Sequence, residues 1–144
     1  MRQLSLFDAD NADLAGIVGL TPLVRAAMNR AAAESSLSRA QIADRMNELA
    51  KRSGKRMTQG SARTISVDTL EKFLNPEADF VPSLQAVDMF MRAVGDMAPL
   101  SAWLSLHGCE VMTDEDRYFR DIGKATLEKE AAADRLRQLR SRRQ

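Results

Sequence analysis

The chain has 144 residues, 44% of them hydrophobic, and a formal net charge of +1, enough for one core of ordinary size with extensions and too little for two. No apolar run approaches the roughly 20 residues of a membrane span, and the N-terminus lacks the basic start and apolar stretch of a secretory signal, so a soluble, cytoplasmic protein without membrane contact is expected. Cys109 is the single cysteine, which leaves no internal disulfide and no thiolate cage for zinc and fits a reducing compartment.

Sparse glycine and proline and a near absence of period-2 alternation predict an all-α fold. Residues 1–20 are polar and acidic with scattered apolar positions and are expected to form a flexible N-terminal arm. Thr21-Pro22 then starts a helix with proline at its first position, where the missing N–H costs nothing; Leu23, Ala27, Met28 and Ala31 form its apolar side, and Ser35-Ser36 ends it. Ser38 can cap the next helix, which runs to about Lys51 with Ile42, Met46 and Leu49 on one face and Ala43 on its inner side. After a basic loop, Ser66 caps a short helix with Leu70, Phe73 and Leu74 inside and a stop at Asn75-Pro76. Pro82-Ser83 opens a helix bearing Leu84, Val87, Phe90, Met91 and Val94, closed by Gly95-Asp96, and Pro99 to His107 supplies a fifth with Leu100, Trp103 and Leu104 inside. Residues 21–110 thus read as a five-helix domain.

From Thr113 the pattern changes. Thr113-Asp114-Glu115-Asp116 makes a capping box with acids at the positive end of a helix predicted to reach about Arg140. Phe119, Ile122, Thr126, Ala133, Leu136 and Leu139 form only a thin apolar stripe, interrupted by Lys129, and such a stripe rarely holds a lone helix in water. The charged helix of residues 113–144 is therefore expected to pack on its own domain, pair with a second copy or fray, with a homodimer favoured. Its terminal arginines can complement the helix dipole or meet phosphate.

Charge is segregated along the chain. Residues 51–65 hold Lys51, Arg52, Lys55, Arg56 and Arg63 with no acid, residues 135–143 hold five arginines with none, and residues 73–134 between them carry five basic and twelve acidic residues. One surface can therefore attract polyphosphate although the whole molecule is nearly neutral. A charge run is most often a solvated face, but the first run joins two short amphipathic helices of the kind a helix-turn-helix uses. Catalytic chemistry has little to build on. His107 and Cys109 lack further ligands and read as a helix-end histidine and a buried cysteine; phosphate loops and a Ser-His-Asp context are absent; and methionines such as Met46, Met89 and Met91 sit at core spacing. Neither an enzyme nor a cofactor is expected.

Ser38-Arg39-Ala40-Gln41-Ile42-Ala43, Thr69-Leu70-Glu71-Lys72-Phe73 and the helix opened by Pro82 give residues 37–104 a pattern that resembles the lambda repressor-like helix-turn-helix domain of temperate phages and bacterial regulators. More narrowly, Arg92 to Asp96, Leu106 to Cys109 and the charged helical tail are similar to small regulators of Mu-like transposable prophages. The resemblance implies a transcriptional regulator that binds double-stranded DNA, with Arg39 on phosphate and Ser66, Val67, Asp68, Thr69 and Lys72 facing bases in the major groove. The chain departs from that family in two ways. About fifteen residues separate the two helices where the family has a few; Gly54 and Gly60 would let this loop act as a wing or clamp whose Lys51, Arg52, Lys55, Arg56 and Arg63 add phosphate contacts. The reading surface also lacks Arg, Asn and Gln for bidentate base contacts, although Val67 can meet a thymine methyl and Asp68 can accept from cytosine, or only complement the helix dipole.

A second motif is Gln3-Leu4-Ser5-Leu6-Phe7, which closely matches the pentapeptide by which bacterial replication and repair proteins grip the sliding clamp. An extended peptide would place Leu6 and Phe7 in an apolar pocket, with Leu4 beside them and Gln3 bonded at the rim; the alternatives are a strap on the chain's own core or coincidence. The second functional reading is accordingly an accessory protein-interaction module of a mobile element, tethered to the clamp.

Overall fold

The structure is a computed structural model that describes the backbone of residues 6–143 and the side chains of residues 12–143. Among the described residues there are six helices and no strand: α1 (Leu6–Glu34), α2 (Arg39–Ser53), α3 (Val67–Leu74), α4 (Leu84–Val94), α5 (Ala98–Ser105) and α6 (Asp114–Ser141). The chain divides into two compact units at Glu110 and Val111. None of these helices is long and apolar enough to cross a membrane.

Helix boundaries follow local chemistry. Ser38 accepts from the backbone N–H of Gln41 while Gln41 Oε1 accepts from that of Ser38, a complete capping box for α2. Ser66 and Ser83 accept from Thr69 and Ala86 in the same manner, so each helix start satisfies an N–H that its own ladder leaves without a partner. Gly54 and Gly95, at φ 67° and 74°, end α2 and α4 in the left-handed conformation that glycine adopts without steric cost.

The start of α1 differs from expectation. The helix is continuous from Leu6, and Pro22 lies inside it rather than at its first position. Leu14, Ile17 and Val18 face solvent, and among the described side chains burial begins only at Val24. The buried part of α1, Val24 to Ala32, coincides with the expected helix, although Leu23 is turned outward.

In the first unit α1 packs on α5, α3 and α4, and α2 packs on α4 and α3. Met28, Ile42, Met46, Leu70, Phe73, Leu74 and Phe90 form the fully buried centre. Ala43, Ala86 and Ala93 are buried in the same cluster, where a larger side chain would overpack. The inward face of α4 therefore centres on Ala86, Phe90 and Ala93 rather than on Leu84, which is 67% exposed; Val87 and Val94 are half-buried at its margin. In α5 only Pro99 is buried, and Leu100, Trp103 and Leu104 are half-covered rather than enclosed.

The second unit is α6. Thr113 Oγ1 accepts from the backbone N–H of Asp116, and Asp116 Oδ2 accepts from Thr113 N–H at 2.9 Å and from the Thr113 hydroxyl at 2.8 Å. No residue of α6 is buried.

Candidate nucleic-acid interface

The segment between α2 and α3 is tied down at two points, Met57 and Ile65. Asn47 on α2 donates to the Ile65 carbonyl at 2.9 Å and accepts from the Ile65 N–H at 2.8 Å, while Ser83 donates to the Met57 carbonyl at 2.9 Å. Met57 and Ile65 are themselves buried in the core. The connector is thus not the free wing its length suggests, because a two-bond side-chain bracket holds Ile65 to α2, the Ser83 cap of α4 holds Met57, and both apolar residues are buried.

Lys51, Lys55, Arg56 and Arg63 line a cleft of about 590 Å³ between the second half of α2 and the connector, which also contains Asp44 and Glu48. All four cations are exposed, and none has an ion-pair partner among the described residues. Arg52, exposed in the last turn of α2, is not part of the cleft lining. Arg63 and Thr64 lead in the chain through the bracketed Ile65 into the Ser66 cap of α3.

On α3 the apolar side is fully buried and the polar side is open. Val67 is 38% exposed, and Asp68, Glu71 and Lys72 face solvent. Ser66 and Thr69 are engaged with each other at 3.2 Å and with the helix start. That leaves a methyl pair, the Asp68 carboxylate and the Lys72 ammonium as the free chemistry of the helix, since Glu71 is engaged by Arg39.

Arg25 fixes where α3 sits. This α1 residue is 2% exposed and donates from Nε to the Phe73 carbonyl at 3.0 Å, from Nη1 to that of Ala78 at 2.7 Å, and from Nη2 to those of Phe80 at 3.0 Å and Lys72. Carbonyls at a helix C-terminus have no partner in their own ladder and carry the negative end of the dipole, so one planar cation closes α3 and shapes the turn after it. Burial pushes the Arg25 guanidinium below its usual pKa, but that starting value is high enough for the charge to persist at any physiological pH. The stacking of Phe80 on Phe73, with ring centroids 5.6 Å apart, covers the same turn.

Arg39 is placed differently from the expected phosphate contact. Its Nε is 3.1 Å from Glu71 Oε1 and its Nη2 donates to Asn29 at 3.3 Å, while Nη1 is enclosed without a partner. The side chain is 29% exposed and ties the start of α2 to α1 and α3; Glu71, one turn before the end of α3, supplies the nearer anion. Cys109, expected inside, is exposed, as is His107. No group of three His, Cys, Asp or Glu side chains capable of holding a metal occurs among the described residues. Gln3 and Leu4 of the N-terminal motif lie outside the described residues, whereas Leu6 and Phe7 begin α1 in helical backbone rather than in the extended form a clamp-binding peptide would take.

Comparison of the chain with protein-family models, with curated proteins and with solved structures finds no match.

Proposed function

We propose that the chain is a DNA-binding regulator of the repressor-type helix-turn-helix kind, consistent with an origin in a phage or prophage, in which α3 docks in the major groove and the connector holds the backbone. One observation carries this reading: Lys51, Lys55, Arg56 and Arg63, exposed and without ion-pair partners among the described residues, line one cleft beside Asp44 and Glu48, at the end of α2 and on the connector that runs in the chain into the Ser66 cap of α3. Exposed cations gain most from a polyanion, because each phosphate neutralised releases condensed counterions. Arg25 supports the reading by holding α3 as a rigid element whose outer residues can be presented to a groove. Val67 offers a methyl contact to thymine and Asp68 an acceptor for cytosine, so base discrimination rests on few contacts and backbone contacts dominate affinity.

The test is a salt titration of duplex binding. Replacing Lys55, Arg56 and Arg63 together by alanine should lower affinity for duplex DNA and make the slope of log K against log salt shallower by about 2 to 3, at roughly 0.9 for each lost phosphate contact. Equal slopes for the variant and the parent would overturn the assignment of the cleft.

A further inference from the structure

Helix α6 carries an apolar stripe that nothing in its own unit buries. Tyr118, Phe119, Ile122, Leu136 and Leu139 are all exposed. Residues 115, 119, 122, 126, 129, 133, 136 and 140 follow one another in alternating steps of four and three, the spacing that keeps a seam facing a partner helix along its whole length. Tyr118 and Leu139 flank this seam, and Leu127 is the one large apolar residue of α6 away from it.

The charges at the two ends decide the partner. Asp114, Glu115 and Asp116 occupy the first turn, and Arg135, Arg137 and Arg140 the last two. We infer that α6 pairs with α6 of a second copy in antiparallel orientation, with Glu115 of one copy facing Arg140 of the other.

That register follows from the seam itself. Phe119 then meets Leu136, Ile122 meets Ala133, and Thr126 meets Lys129, each pairing occurring twice by the two-fold symmetry. Ile122 against the small Ala133 joins a large side chain to a small one, so the layer fills without overpacking. Tyr118 and Leu139 cover the seam on one flank, and Asp116 faces Arg137 on the other. Glu115 and Arg140 have no ion-pair partner among the described residues of their own chain, so their pairing takes nothing from existing contacts, whereas Arg137 already lies 3.2 Å from Asp134 and would share its charge. Lys129 enters the seam by its methylene stem, its ammonium reaching water at the edge, and this polar centre fixes register at some cost in affinity. A parallel pair would instead set acid against acid at one end and arginine against arginine at the other.

Sedimentation equilibrium of the full chain should show a dimer at micromolar concentration. Glu115→Arg and Arg140→Glu, each alone, should weaken it by about tenfold or more, because each creates two like-charged contacts; the double variant should recover most of the lost affinity, since it restores opposite charges across the seam. A monomer at tens of micromolar, or no recovery in the double variant, overturns the inference. A second measurement leaves the seam untouched: spin labels on Ser141→Cys in a Cys109→Ser background should lie about 40 Å apart, at 1.5 Å of rise per residue. A separation under about 20 Å would indicate parallel helices and overturn it equally, given an interaxial distance near 10 Å.

Discussion

Arg25 is the residue on which the geometry of α3 depends most directly. Its four carbonyl acceptors belong to the last turn of α3 and the turn that follows, and in its absence several would be buried without a donor. Arg25→Met keeps the volume and removes every donor, so the urea midpoint should fall by an amount equivalent to about 3 kcal/mol or more, the range for losing hydrogen bonds to a buried charge. Arg25→Lys should lose less, because an ammonium can keep part of the set but cannot span it as a planar fork does. A midpoint unchanged in Arg25→Met would show that the carbonyls find other partners. This role was not legible in the chain as read, although one signal was present: a charged residue at 25 lies within the apolar run of Val24, Ala27 and Met28 that faces the core. Arg39 shows the opposite failure. Its position before the Ile42-Ala43 pair was plain, but the Glu71 that engages it stands 32 places further on and only folding brings the two together.

At the scale of the element, what could be read was what is local. Ser38, Ser66 and Thr113 each cap the helix expected of them, and Ser83 caps the one Pro82-Ser83 was expected to open, because a cap is a bond between a side chain and a backbone group three residues away. The bracket between Asn47 and Ile65 spans 18 residues and left no trace in spacing, so the connector was expected to be looser than it is. Likewise Pro22 is a start signal only where the preceding residues are not already helical. The Thr113 cap carries a prediction of its own. Hydrogen bonds from the Thr113 backbone and hydroxyl hold the Asp116 carboxyl below its ordinary pKa of 3.8, which means the folded cap prefers the ionised form. Its stabilisation is complete above the pH at which the unfolded carboxyl titrates and is lost as pH falls through the lower, folded value. Carbon-13 shifts of the Asp116 carboxyl should therefore titrate with a midpoint under 3.8, and the first turn of α6 should lose amide protection over the same interval. Asp116→Asn should abolish that acid dependence; a midpoint at or above the ordinary value would contradict the cap.

Across the whole molecule, burial and charge are divided between the two units. The core cluster draws all its members from Val24 to Ala93, with Leu20, Leu37, Leu49, Val87, Val94, Ala98 and Trp103 packed against it, and α6 contributes no buried residue. If burial of apolar surface is what holds the first unit together, a chain ending at Glu110 should unfold in urea with a midpoint equivalent to within about 0.5 kcal/mol of the parent's, the scatter of substitutions away from packed sites. The residues lining the cationic cleft, Asp44 to Thr64, all remain in that shortened chain, so its duplex affinity at a single site should persist as well. The two readouts answer different questions. A large loss of stability would mean that residues 111–144 contribute to the first unit's fold, whereas retained stability with lost duplex binding would assign the phosphate contacts to the terminal arginines and not to the connector. Persistence of both would show that residues 111–144 are dispensable for the first unit's stability and for the duplex binding proposed for the connector, as the proposed pairing of α6 with a second copy requires.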